Sequence, residues 1–427
     1  MKVFVHGDSL YAWVAAGALA ETGNAVAMDA AANSHFPERE PGLELLLDKQ
    51  RHAGRLQCGR PLDDAREAGV HILASVGDPD QLRRIASHIV PLLTAPSVLL
   101  VMASLPVGTL DSLQSDIDRM ASASPGGHGA TVIGMPLFIR EGSALADFYR
   151  PANLLLSGPR ESAAMRLVLE LLRPFARKAE HLMLVSHPAA ELIKLGVTAM
   201  LAMRVSFINE MAALAARLDV DIEQVREGLA ADPRIGSDYL QPGCGFGGPS
   251  LTHELTNYLE TVKLHLNSPG LIGTVMAIND SQREVLFRKL WRFFRGRLSG
   301  RVVAIWGAAF KPGTASLDNS VVHPLLTALW AQGCTTVVYD PMAGQALSRQ
   351  YAGQPLLVIA PTAVAAVQDA DALVVVTAWE EFWNPDFDRV KAALINPVIF
   401  DGRNIYNPDY LKELGFRYFG IGRGETV

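Results

Sequence analysis

Cysteine is scarce in this chain of 427 residues. Cys58, Cys244 and Cys334 stand far apart, without metal-ligand spacing, so neither a disulfide framework nor a metal site is expected. An excess of basic residues is missing too. The 38 Lys and Arg are outnumbered by 44 Asp and Glu, for a formal net charge of −6, and with no chain-wide positive field nucleic acid is excluded as a partner. No apolar run is both long and unbroken. The uncharged stretch 89–110 matches the ~20 residues of a membrane span, but Pro91, Pro96 and Pro106 cut it into a helix end, a loop and a buried strand. No membrane association is expected. The N-terminus reaches the polar Gly7–Ser9 turn too early to hold a signal peptide's apolar region, and a cytoplasmic location is expected.

What the chain does have is an apolar content of 49%, enough for more than one core, and a length that suggests two or three domains at ~100–200 residues each. Lys2 to His6 reads as a strand, followed by the Gly7–Ser9 turn, an Ala-rich helix to Glu21 and a second strand from Ala25 to Met28. Further strands are expected over 71–76, 97–102 and 130–133, giving an open parallel sheet. From Ala189 to Leu218 apolar residues recur at helical spacing with almost no Gly or Pro, which predicts a long helix. Its Ala, Met and Leu content suits either a homodimer interface or burial within the monomer. Near Gly300 the pattern of the N-terminus repeats, with strands expected over 301–306, 334–339, 372–377 and 397–400. Two sheets of this kind place ligands at the carboxyl ends of their strands.

A dinucleotide site would follow the first strand as Gly-x-Gly-x-x-Gly, with a carboxylate about twenty residues on for the ribose hydroxyls. The chain offers Gly7, Ser9, Ala12 and then Asp29. Ala12 still lets helix and strand pack closely, but Ser9 places a side chain where backbone should approach the pyrophosphate. Binding weakened but not abolished is expected, with Asp29 favouring NAD over NADP.

Nine blocks carry a more specific signal: Glu40-Pro-Gly-Leu-Glu44, Ser104-Leu-Pro-Val-Gly-Thr109, Arg140-Glu-Gly-Ser-Ala144, Glu191-Leu-Ile-Lys194, Ser206-Phe-Ile-Asn-Glu210, Arg234-Ile-Gly236, Gly245-Phe-Gly-Gly248, Phe310-Lys-Pro-Gly-Thr314 and Asp401-Gly-Arg-Asn404. In these blocks, and in their order, the chain resembles the UDP-glucose/GDP-mannose dehydrogenase family over nearly its whole length. The resemblance implies two Rossmann-like, doubly wound parallel-sheet α/β domains joined by a long central helix and a helical dimerisation region. The implied divisions are an NAD-binding domain at 1–188, a central domain with the active-site loop at 189–298, and a nucleotide-sugar-binding domain at 299–427.

It also implies a chemistry. NAD is used twice, a primary alcohol becomes an aldehyde, a cysteine captures the aldehyde, and the resulting thioester is hydrolysed to the uronic acid. The family's Gly-Phe-Gly-Gly-Ser-Cys-Phe-Pro-Lys-Asp becomes Gly245-Phe246-Gly247-Gly248-Pro249-Ser250-Leu251-Thr252-His253-Glu254. Ser250 thus stands at the cysteine position, His253 at the lysine and Glu254 at the aspartate. Leu137 replaces an acid/base glutamate, Thr198 the asparagine of the oxyanion pair, and Asp318 an arginine that meets the cofactor.

By the same resemblance, Lys194, Arg234, the Gly245–Gly248 loop, Lys311 and Arg403 belong to the nucleotide and sugar, and Ser104 to the cofactor. The residues for recognition persist while those for electron removal and acyl transfer change. A UDP- or GDP-hexose is the expected substrate, with Lys194 polarising the C6 oxygen and Glu254 or Glu141 ordering water. Ser250, a weak nucleophile without a base, holds at best the aldehyde hydrate. Cys244 is expected to be a packed side chain, not a relocated nucleophile. The rival expectation is a nucleotide-sugar binding or regulatory protein that has lost catalysis.

Overall fold

The computed structural model describes residues 1–31, 40–74, 77–123, 128–268 and 270–425. The chain divides into two compact units, Met1–Val197 and Thr198–Val427, with the boundary inside one continuous helix, His187–Leu218.

The first unit is built on an eight-stranded sheet. Its strands are β1 (Lys2–His6), β2 (Ala25–Met28), β3 (Leu56–Gln57), β4 (Val70–Ala74), β5 (Ser97–Met102), β6 (Ala130–Gly134), β7 (Asn153–Ser157) and β8 (His181–Val185), in the order β3-β2-β1-β4-β5-β6-β7-β8. Strands β4 and β5 are buried at every residue, as expected of a parallel sheet covered on both faces. Val5, Trp13, Met28, Ile72 and Leu100 share the largest core cluster. The expected strand over 71–76 is β4 as far as Ala74; positions 75 and 76 lie outside the described residues.

One pairing departs from the parallel expectation, since β6 and β7 meet antiparallel at Gly134 and Ser157. Between them lies only the six-residue helix Ala144–Tyr149.

The second unit holds a six-stranded, wholly parallel sheet. Its members are β9 (Val302–Trp306), β10 (Thr335–Tyr339), β11 (Leu357–Ile359), β12 (Ala372–Val375), β13 (Val398–Asp401) and β14 (Arg417–Phe419), ordered β11-β10-β9-β12-β13-β14. Helices Ile222–Ala230, Pro249–Leu266, Gly270–Arg283 and Val285–Phe293 precede it. The α/β class, the two parallel sheets and the long helix agree with the sequence-based expectation. Among the described residues no helix is long and apolar enough to cross a membrane.

Candidate active site

In the first unit the turn after β1 has the geometry of a dinucleotide site. The Gly7 amide donates to Asp29 Oδ1 at 2.9 Å, which fixes the carboxylate at the end of β2. His6 Nδ1 lies 3.7 Å from Asp29 Oδ2, whose side chain stays partly exposed. Burial pushes the Asp29 carboxyl up, but the His6 ring and the Gly7 amide outweigh it and hold the group below its ordinary range. A ribose hydroxyl placed beside it would meet an ionised acceptor. Ser9 does not project into the turn as its position suggested. Its hydroxyl donates to Ala74 O at 2.7 Å and accepts from Ala12 N at 3.1 Å, so it serves as the N-cap of helix Leu10–Glu21. The cap leaves the close packing of Ala12 intact but occupies one amide at the helix N-terminus, where an anion would otherwise sit.

The second sheet has a corresponding carboxylate in a different state. Asp340, at the end of β10, is 7% exposed and already saturated. Its Oδ2 accepts from the Ala308 and Ala309 amides and from Trp379 Nε1, and its Oδ1 from the Met342 and Ala343 amides. No acceptor is left for a ribose at this position. Of the two sheets, the one bearing Asp29 has residues that fit a dinucleotide.

Two buried glutamates organise the remaining loops of the first unit. Glu191 accepts from the Gly108 and Leu110 amides at 2.6 and 2.9 Å, which ties the long helix to the loop after β5 that carries half-buried Ser104. Burial raises its pKa to about 7 despite those amides. Glu40 accepts from the Gly142 and Ala144 amides at 2.7 and 2.6 Å and so shapes the loop that presents Glu141. Leu137, in place of the family's glutamate, is buried in the main core. Lys194 is half-buried with Nζ 5.1 Å from the centre of the Phe138 ring, a cation over an aromatic face.

In the second unit the loop Gly245–Gly248 is clamped from several sides. Asn279 Oδ1 accepts from Phe246 N at 2.8 Å, and its Nδ2 donates to Phe246 O at 3.1 Å. The Gly248 amide donates to Asp318 O at 2.9 Å. A Cβ on Gly247 would meet Asn319 O at 2.2 Å, and one on Gly248 the Phe310 ring at 2.6 Å, so both positions require glycine. Arg403 supports the same loop, donating from Nη1 to Gly245 O at 3.3 Å and from Nε to Val376 O at 2.7 Å. Lys311 lies 5.5 Å from the Phe310 ring centre. Arg234 is exposed and paired with Asp232 at 2.6 Å. Asp318 is exposed as well.

The loop delivers Pro249 and Ser250 into the first turn of helix Pro249–Leu266, with Gly248 as N-cap. Ser250 is half-buried there. His253 Nε2 lies 3.2 Å from Asn257 Nδ2 on the same helix. Glu254 is 4% exposed and accepts a hydrogen bond from the Thr198 hydroxyl. Thr198 of the long helix and Glu254 of helix Pro249–Leu266 thus form a buried pair across two helices. Cys244 is fully buried, its Sγ 3.9 Å from Val376 O, and burial pushes its thiol up, as befits a packing side chain.

Sequence reasoning placed Glu40 and Glu191 inside recognisable blocks without reading their roles as loop anchors. Asn279 and the Thr198–Glu254 bond had no signal, because each depends on a partner distant in sequence.

Comparison with known proteins gives three consecutive matches to the UDP-glucose/GDP-mannose dehydrogenase family: its NAD binding domain at residues 23–176, its central domain at 188–281 and its UDP binding domain at 304–408. A UDP-glucose 6-dehydrogenase of Pseudomonas aeruginosa is 33% identical, covering 99% of this chain and 98% of its own. UDP-glucose 6-dehydrogenase TuaD of Bacillus subtilis is 30% identical over 99% of this chain and 93% of its own. Among solved structures, a UDP-glucose dehydrogenase of Pyrobaculum islandicum superposes with a TM-score of 0.86 at 25% identity, covering 99% of this chain and 97% of that one.

Proposed function

Because the chain belongs to the UDP-glucose/GDP-mannose dehydrogenase family, and is an NAD-dependent nucleotide-sugar dehydrogenase, we propose that it oxidises C6 of UDP-glucose or a GDP-mannose analogue slowly, or only as far as the aldehyde stage. The observation that carries this reading is Ser250 in the first turn of helix Pro249–Leu266, where the family has its cysteine. NAD, when bound, accepts a hydride from the alcohol carbon.

The proposed roles of the chain's own groups follow from their surroundings. Asp29 takes the ribose hydroxyls, with Gly7, Ser9, Ala12 and Ser104 forming the rest of the cofactor turn. Lys194 polarises the C6 oxygen. Lys311, Arg234 and Arg403 serve the nucleotide and sugar, Arg403 chiefly by holding the Gly245–Gly248 loop, which includes Phe246 and Gly247. Ser250 hydrogen-bonds the hydrated aldehyde but forms no acyl intermediate that leaves as readily as a thiolate. Glu141 orders water. Glu254, buried against Thr198, acts mainly by keeping that threonine in place. Residues 1–188, 189–298 and 299–427 are the proposed cofactor, central and nucleotide-sugar domains.

With purified protein, UDP-glucose and excess NAD, the absorbance of NADH is expected to rise slowly or to stop near one equivalent per sugar. Rapid formation of two equivalents would overturn the role given to Ser250. A second reading, a nucleotide-sugar binding protein without catalysis, is favoured by exposed Asp318 where the family has an arginine. It requires that UDP-glucose raise the melting temperature while NAD has no effect and no NADH forms.

A further inference from the structure

Away from the residues discussed above, the second unit contains a cavity of about 660 Å³ between the end of the long helix, helix Val285–Phe293 and the chain after β14. That volume lies within the ~300–1,000 Å³ usual for small-molecule sites. Its charged lining is mostly self-compensated: Arg423 Nη2 meets Asp221 Oδ2 at 3.0 Å, and Glu425 meets Arg417 at 2.6 Å.

One donor breaks that pattern. Lys289 lines the cavity, is half-buried, and makes no hydrogen bond or ion pair among the described residues. A buried cation without an anion is costly, and burial, with Arg292 nearby, lowers the Lys289 pKa to about 8. Lys412 adds a second positive group at the rim, while exposed Asp219 and Asp409 supply carboxylate oxygens on the same wall. Unmet cationic donors recognise a phosphate; carboxylates, which only accept, recognise hydroxyls.

We propose that this cavity is a second binding site, for a phosphorylated sugar, with Lys289 and Lys412 meeting the phosphate and Asp219 and Asp409 the hydroxyls. The site is independent of the dehydrogenase reading.

The test is calorimetric titration of the full-length protein with glucose 6-phosphate, inorganic phosphate and glucose, each with and without saturating UDP-glucose and NAD. Glucose 6-phosphate is expected to bind in both conditions, at least tenfold more tightly than phosphate or glucose. Lys289→Met is expected to weaken it at least tenfold and Lys289→Arg less than threefold, with the melting temperatures of both variants reported alongside. Absence of binding would overturn the proposal, as would displacement by UDP-glucose, equal affinity for phosphate alone, or undiminished binding to a folded Lys289→Met protein. UDP-glucose titrated alone reports separately on the dehydrogenase reading.

Discussion

Thr198 and Glu254 show why substitutions in a site are read in pairs. Taken singly, each departs from the family pattern, by a lost amide and an added methylene. Together they close one buried hydrogen bond, and an unmade bond at such a place costs about 1–3 kcal/mol. Thr198→Asn, which crowds the longer glutamate, and Glu254→Asp, which falls short of the threonine, are each expected to lower unfolding stability by that order. The double variant should recover most of the loss. Urea denaturation of all four proteins gives the coupling directly, and additive losses would mean that the two changes are unrelated.

The same coupling explains what the sequence reading could and could not reach at this site. The helix start at Ser250 and the burial of Cys244 are legible from their neighbours in the chain, since a glycine loop and a proline are local features. Glu254 was read as a group for ordering water because nothing local says that its carboxylate is engaged by a residue of another helix. Ser9 shows the opposite case, a role for its side chain that local chemistry does announce. Its hydroxyl finds Ala12 N and Ala74 O, and the serine preference for N-cap positions was the available signal.

Among whole elements, the strands flanked by turn residues were legible, and Lys2–His6 and Ala25–Met28 match residue for residue. Strands β3, β7, β8, β11 and β14 were passed over. They are edge or near-edge members of their sheets, and β3, β11 and β14 are too short for a periodicity to show. The antiparallel entry of β7 has no sequence signature of its own.

How the elements are held also has a measurable consequence. Glu191 anchors the long helix to the loop after β5 through two amides. Its folded pKa is raised from 4.5 to about 7, so between those values the folded chain holds this proton more tightly than the unfolded chain does. Its contribution to stability is therefore full below pH 4.5 and declines as pH rises toward 7. Glu191→Gln cannot titrate, and it loses one acceptor. It is expected to be less stable than the wild type at pH 4.5, with the deficit shrinking by about 3 kcal/mol by pH 8. Denaturation curves at the two pH values check this; a deficit independent of pH would mean that Glu191 is ionised throughout. The glycine loop gives a companion prediction. Gly247→Ala drives a Cβ against Asn319 O and is expected to weaken UDP-glucose binding at least tenfold while leaving NAD binding unchanged, as titration of each ligand would show.

For the whole molecule, the two sheets share a topology but not a role, and the difference lies in the carboxylate that closes the second strand of each βαβ start. Asp29 keeps a partly exposed oxygen, whereas Asp340 spends both oxygens on backbone and indole donors. A dinucleotide ribose would thus find a free acceptor at the first sheet and none at the second.

The long helix raises the question of assembly. It carries Met200, Phe207, Leu214 and Leu218 at helical spacing on one face, and these are 54%, 49%, 49% and 63% exposed. Large apolar side chains in a continuous stripe are uncommon on a monomer's surface, and each is worth about 1.5–3 kcal/mol when fully buried. A second copy of this chain, related by a two-fold axis, would offer each stripe its own counterpart. The protein is therefore expected to sediment as a homodimer at micromolar concentration. Phe207→Glu combined with Leu214→Glu would place two like charges at each position of such an interface, and the variant is expected to sediment as a folded monomer, its secondary structure unchanged by circular dichroism. A wild-type monomer, or a variant that remains dimeric, would remove the long helix as the interface.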